Sequence, residues 1–232
     1  MFTPIKNEKM HVQVAEQIKM LIQHEKLKVG ERLPSERELC KIFGVSRSTI
    51  REALTSLEIL GYIEMRAGRG TYVNNINRVD NENTLIDQLE ESVSPTEIFE
   101  ARILIEPRLS GLAAQRAKKE DLEEIERVVA SAKELSPSEI DEFEELDRKF
   151  HLLIAKAANN EVLYRFEESI NNERMSKLWG NLKVKSMQKK GRVDRYRNEH
   201  EEILSAIRDR NPALAEKLTL KHLLDIHKNL FG

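Results

Sequence analysis

The chain holds a single cysteine, Cys40, so no disulfide framework can form and the fold needs no oxidising compartment. Aromatic residues make up only 5% of it, which argues against a large β-structure and for helices packed through Leu, Ile and Ala. No stretch approaches the ~18 consecutive apolar residues of a membrane span. The opening segment MFTPIKNEKMHVQVAEQ lacks the basic-then-apolar layout of a secretory signal. Neither an internal repeat nor a low-complexity tract is visible. These absences lead us to expect a cytoplasmic protein with no membrane partner.

What is present suits an ordinary globular core. Apolar residues reach 40% and charged residues 34% over 232 positions, enough for one or two domains. The net charge of −2 hides an asymmetry: residues 1–76 carry 12 Lys/Arg against 9 Asp/Glu, a net of +3, leaving −5 for the remainder. A basic segment followed by an acidic one is compatible with a nucleic-acid partner for the first.

The periodicity changes along the chain. Val14, Ile18, Leu21 and Ile22 form a helical stripe. After Gly30 and Leu33-Pro34, Ser35 with Glu38 three residues later reads as a capping box. The helix it opens runs through Leu39, Ile42 and Phe43 to Gly44. Ser46 opens another, with Ile50, Ala53, Leu54 and Leu57 at core spacing, ending at Gly61. Two short apolar runs, 62–66 and 71–73, flank a Gly-containing turn and predict a β-hairpin. Residues 74–84 are polar and Asn-rich. From there the pattern is helical, with helices expected at about 84–92, 95–117, 119–134, 138–158, 161–182, 186–210 and 212–230. Pro95, Pro137 and Pro212 stand at three of the predicted helix starts. We divide the chain into residues 1–75, a connecting segment with a short helix at 76–94, and a helical domain at 95–232.

Helix, helix, tight Gly turn, helix and hairpin is the order of a winged helix-turn-helix. The third helix begins Ser46-Arg47-Ser48-Thr49-Ile50-Arg51. A helix that reads DNA needs such a polar, basic first turn: arginines pair with guanine edges, while hydroxyls and the helix N-terminus hold phosphates. The hairpin turn, Arg66-Ala67-Gly68-Arg69-Gly70, is small and basic, which places Arg69 against DNA. The alternative is that these arginines are solvated surface charges. The stretch LPSERELCKIFGVSRSTIREALTSLEILGYIEMRAGRGTYV resembles the DNA-binding domain of the GntR family over about residues 10–75. The resemblance implies DNA contacts at Arg37, Ser46, Arg47, Ser48, Thr49, Arg51 and Gly68, and a homodimer on a short palindromic operator.

Three of the six histidines fall on predicted inward stripes of the helical half. Asp147 and His151 are four apart, hence on one helix face, which continues through Ile154 and Ala158. His200 lies with Ile203, Leu204 and Ile207, and His222 with Leu218 and Ile226. One carboxylate and three imidazoles from three helices make a divalent-metal site; the alternative is a set of separately satisfied core histidines. Arg102 sits on the stripe of Ile98, Ile105, Leu109 and Leu112. A buried guanidinium takes a carboxylate, supplied by a ligand or by an internal salt bridge. The pieces Ala101–Pro107, Asp147–His151, Ala158–Asn160, His200–Ile203 and Ala215–His222 resemble the FCD ligand-binding domain of the FadR-type branch of the same family, in its metal-binding group. That resemblance implies an all-α antiparallel bundle and a metal held by Asp147, His151, His200 and His222. Zinc is the first expectation, nickel or manganese the others. It also implies a small organic acid completing the coordination near Arg102.

The fold class expected is therefore mainly α, a winged helix-turn-helix followed by a helical bundle. The function expected is a DNA-binding transcriptional repressor whose operator binding responds to the acid. A regulator with a purely structural metal is the alternative. A metal-dependent enzyme is a remote one: four protein ligands already fill the set, no further base stands beside them, and no HExxH or two-His-one-carboxylate layout is present.

Overall fold

The structure is a computed structural model and describes residues 9–66, 69–74, 93–136, 138–175, 179, 187 and 191–231. The chain divides into two compact units, Met1–Thr96 and Glu97–Gly232.

The first unit contains α1 (Met10–Gln23), α2 (Glu36–Phe43), α3 (Arg47–Ile59) and the strands β1 (Ile63–Arg66) and β2 (Gly70–Val73). Helix α2 starts because Ser35 and Glu38 form a complete capping box, and it stops at Gly44, whose φ of 68° is left-handed. Two residues later the Ser46 side chain accepts the Thr49 amide at 3.2 Å and opens α3. The short αL turn between two capped helices is what sets α3 across α2. The strands pair antiparallel in the register Ile63↔Val73 to Arg66↔Gly70. Val14, Ile18, Leu39, Ile50, Leu54, Leu57, Ile63 and Val73 close one small core beneath all these elements.

The second unit contains α4 (Pro95–Arg116, whose first two residues belong to the first unit), α5 (Lys119–Glu134), α6 (Ile140–Ala157), α7 (Glu161–Glu173), α8 (Arg192–Arg208) and α9 (Pro212–Phe231). It is an all-α antiparallel bundle. Helix α6 packs on α5 and α7, and α8 on α5 and α9. The turn from α6 to α7 is made by Asn159, at φ 50°, and by Asn160, whose Oδ1 accepts the Val162 and Leu163 amides at 3.1 and 3.2 Å. Asn suits both tasks, tolerating the left-handed region and capping with its short amide. The core runs through Leu109, Ala113, Ile125, Phe150, Ile154, Ile203, Ile207 and Ala215.

The structure revises some of the expected boundaries. Pro95 and Pro212 each open a helix, but the helix expected from 138 begins at Ile140. Glu139 instead turns its carboxylate back onto the Ser136 amide at 2.6 Å; Pro137 itself lies outside the described residues. Helix α7 ends at Glu173, short of 182. Helix α8 starts at Arg192, after Gly191 in the left-handed region, and not at 186. Apolar periodicity ran through both of these ends because it carries no signal for them. The helix expected at 84–92 and nearly all of the connecting segment lie outside the described residues.

Candidate metal centre and DNA-reading face

In the first unit, capping exposes the start of α3. Arg37, Ser46, Arg47, Ser48 and Arg69 are exposed, Thr49 and Arg51 half-buried. Gly68 lies outside the described residues. The hydroxyls of Ser48 and Thr49 stand 2.7 and 2.8 Å from Ser46 Oγ, so three hydroxyls and the positive end of α3 share one patch. The two forward arginines are not loose. Arg47 Nε donates to Glu36 Oε2 at 2.9 Å, and Arg51 Nε donates to the same oxygen at 3.0 Å. Burial opposes the charge on Glu36, but these hydrogen bonds hold its carboxyl below the usual carboxylate range. Glu36 thus fans both guanidinium groups out from one point at the start of α2. In the hairpin, Arg66 pairs with Glu64 at 2.8 Å and covers the Tyr72 ring, and both Arg66 and Arg69 are exposed.

In the second unit, Asp147, His151, His200 and His222 converge. One donor atom from each lies within 4.8 Å of all the others, and all four side chains are buried. His200 Nε2 is 3.3 Å from His222 Nε2 and 3.4 Å from Asp147 Oδ1. His151 Nε2 is 4.0 Å from Asp147 Oδ1 and has no hydrogen-bond partner among the described residues. The four come from α6, α8 and α9. The i, i+4 spacing on α6 puts Asp147 and His151 on one face, and the Phe150 ring stacks on His200 at 4.1 Å.

A second layer of charge orients this set. His151 Nδ1 lies 2.7 Å from Glu106 Oε2, and His222 Nδ1 lies 2.7 Å from Glu199 Oε2. A carboxylate accepts, so each Nδ1 carries the proton and each Nε2 lone pair points inward. Burial lowers the His151 pKa, and Glu106 only partly offsets this, so the ring stays neutral. Asp147 Oδ2 accepts from Arg174 Nη2 at 2.5 Å. Burial opposes the Arg174 charge, but Glu144 and Asp147 sustain it. His222 Nε2, whose lone pair points inward, faces His200 Nε2 at 3.3 Å beside a carboxylate oxygen, an arrangement that takes either a proton on His200 or a shared cation between the two rings. Two donors on one ion with bonds near 2.1 Å can stand at most about 4.2 Å apart. The set therefore fits a divalent ion after a contraction of tenths of an ångström. An N₃O donor set suits zinc, nickel or manganese.

Arg102 is wholly buried beside this cluster. Its Nε donates to Glu106 Oε1 and its Nη2 to Glu106 Oε2 at 3.4 Å, so the internal salt bridge weighed from the sequence is present. Burial opposes the charge on Glu106, yet Arg102 and His151 hold its carboxyl far below the usual range. The salt bridge does not exhaust the guanidinium, because Arg102 Nη1 is buried without a partner among the described residues. A groove lined by Arg148, Lys149, Asn171 and Met175 is a separate feature, and none of the four donors lines it.

Sequence reasoning missed Glu106, Glu199 and Arg174 as working parts. Glu106 was within reach, four residues after Arg102 on the same stripe. Glu199 precedes His200 in a run of charged residues and reads as solvated, and Arg174 at the end of α7 carries no sequence signal.

The chain matches the gntR family of bacterial regulatory proteins over residues 11–73 and the FCD domain over residues 97–225. It is 33% identical to the HTH-type transcriptional regulator LutR of Bacillus subtilis, over 91% of this chain and 97% of that one. It is 34% identical to the Glc operon transcriptional activator of Escherichia coli K12, over 94% and 87%. It is 32% identical to the Uxu operon regulator of Haemophilus influenzae, over 88% and 75%. Among solved structures, E. coli McbR/YncC shares the fold at 17% identity and a TM-score of 0.50, covering 96% of this chain and 97% of that one. No described helix is long and apolar enough to cross a membrane. The capped, arginine-bearing helix and the helical second unit are thus parts of one known architecture, and the chain belongs to the GntR family of DNA-binding transcriptional regulators, with an FCD domain as its second unit.

Proposed function

We propose that this regulator senses a small carboxylic acid at a divalent metal in its FCD domain. Asp147, His151, His200 and His222 would hold the ion, with zinc the first candidate and nickel or manganese the others. The bound ion supplies a Lewis-acidic charge that attracts an anionic oxygen. Arg102 Nη1 supplies the buried N–H that receives the second oxygen of the carboxylate. The carrying observation is the pairing of an inward-facing donor set with a guanidinium N–H left over after its own salt bridge.

At the other end, Arg47 and Arg51 would read base edges. Arg37, Ser46, Ser48, Thr49, Gly68 and Arg69 would hold the backbone. A homodimer presents two such helices to a palindromic operator, one DNA turn apart. The acid binds one arrangement of the bundle more tightly and so shifts operator affinity by that differential. We take the sign to be repression in the cytoplasm, relieved by the acid.

The experiment is a titration of small carboxylic acids into the zinc-loaded full chain, read by calorimetry and by operator binding on one sample. We expect at least one acid to bind at one site per chain and to weaken the operator complex. Metal retained with no response to any acid would instead assign the centre a purely structural role.

A further inference from the structure

One buried carboxyl of the bundle belongs neither to the four donors nor to the groups paired with them. Glu167, on α7, is fully buried, and neither of its oxygens has a hydrogen-bond partner among the described residues. It lies within electrostatic reach of Glu106, Arg102 and Arg174, the groups that hold His151 and Asp147. Arg174 Nε, like Arg102 Nη1, is buried without a partner among the described residues. Two guanidinium donors and one carboxyl are therefore unsatisfied around the same centre. An apolar side chain of similar length would fill the position of Glu167 without the cost of a desolvated, unpaired acid. A carboxyl kept there at that cost points to a ligand that satisfies it.

The chemistry narrows the ligand. The leftover guanidinium donors suit a carboxylate. Glu167 does not suit one: ionised, it repels an anion, and protonated, it offers one donor and one acceptor, of which a carboxylate uses only the donor. A hydroxyl meets either form, donating to the carboxylate or exchanging both hydrogen bonds with the acid. Burial and the nearby Glu106 push the Glu167 carboxyl up to about 8, which keeps it a donor at neutral pH.

We propose that Glu167 is a specificity-determining residue that hydrogen-bonds a hydroxyl of the effector, so that the effector is a hydroxycarboxylic acid. This rests on the carboxylate-sensing reading above. The test uses matched pairs, propionate with lactate and succinate with malate, titrated into the zinc-loaded full chain. In the wild type the hydroxylated member binds more tightly. Glu167→Gln keeps that preference, because an amide also carries a donor and an acceptor. Glu167→Leu reduces the preference about tenfold relative to wild type, and Glu167→Met repeats the comparison in an unbranched side chain. Without effector, Glu167→Leu melts no lower than wild type, because the group it removes is unsatisfied. A wild-type preference retained in both apolar variants, or equal binding of plain and hydroxylated acids by the wild type, overturns the assignment. So does a melting point lowered by several degrees in both apolar variants, which would make Glu167 a structural residue. If no acid of either series binds the zinc-loaded wild type, the sensing reading falls, and this inference falls with it.

Discussion

Both units set arginines against a glutamate, at opposite depths. On the DNA-reading face, Glu36 holds Arg47 and Arg51, whose side chains are 70% and 33% exposed. In the bundle, Glu106 holds an Arg102 that is 0% exposed and His151 as well. Exposed ion pairs are worth little, a median of about 0–1 kcal/mol, so the first pair can be exchanged for DNA at small cost. A buried pair cannot be traded for water, and removing one partner leaves an uncompensated charge. Under the proposed function, depth thus separates a contact that would open to read DNA from one that would stay fixed and present its leftover atoms to a ligand.

The largest effects are expected inside the bundle. His200→Ala removes one of four inward donors and should lower metal affinity more than a hundredfold, beyond the 10–100-fold typical of an outer partner. Metal content per chain reads this out, while operator affinity without effector stays near wild type. Arg47→Ala should weaken specific operator binding by about 10–100-fold with the melting point unchanged, as followed by fluorescence anisotropy. Glu199→Gln keeps the shape but weakens the hold on His222 Nδ1, and should cost about tenfold in metal affinity, measured by competition with a chelator. The smallest effect belongs to the exposed pair. Glu36→Gln removes a negative charge facing phosphates and releases two arginines, so non-specific DNA affinity should rise by about fivefold or less. Discrimination between operator and random DNA should narrow, because the arginines lose their common anchor. A large loss of affinity in this variant would mean that Glu36 does more than fan out the two side chains.

The sequence made the DNA-binding half legible because its signals are local. The Ser35/Glu38 capping box, Gly44 and the Ser46 cap each act within four residues, and the structure contains all three. The four-donor cluster was legible for a different reason: one i, i+4 pair and two inward stripes put the polar residues on core faces, and the bundle brought those faces together. The layer behind them was not. Periodicity shows that Arg102 and His151 face inward, but not that both meet Glu106. Nor does it show that Arg174, beyond the end of α7, reaches Asp147. Glu167 is hidden further, because a glutamate in the run Arg165-Phe166-Glu167-Glu168 reads as surface. Its burial follows only from how α7 packs on α6.

Elemental analysis of the purified full chain shows whether Asp147, His151, His200 and His222 form one divalent-metal centre. The wild type is set beside four single alanine variants, one at each position. We predict about one divalent ion per chain in the wild type and a clear loss in every variant, with the helical circular-dichroism signal retained. A wild type that takes up no ion when supplied with zinc, nickel or manganese, or four variants that keep the full complement, would contradict the account.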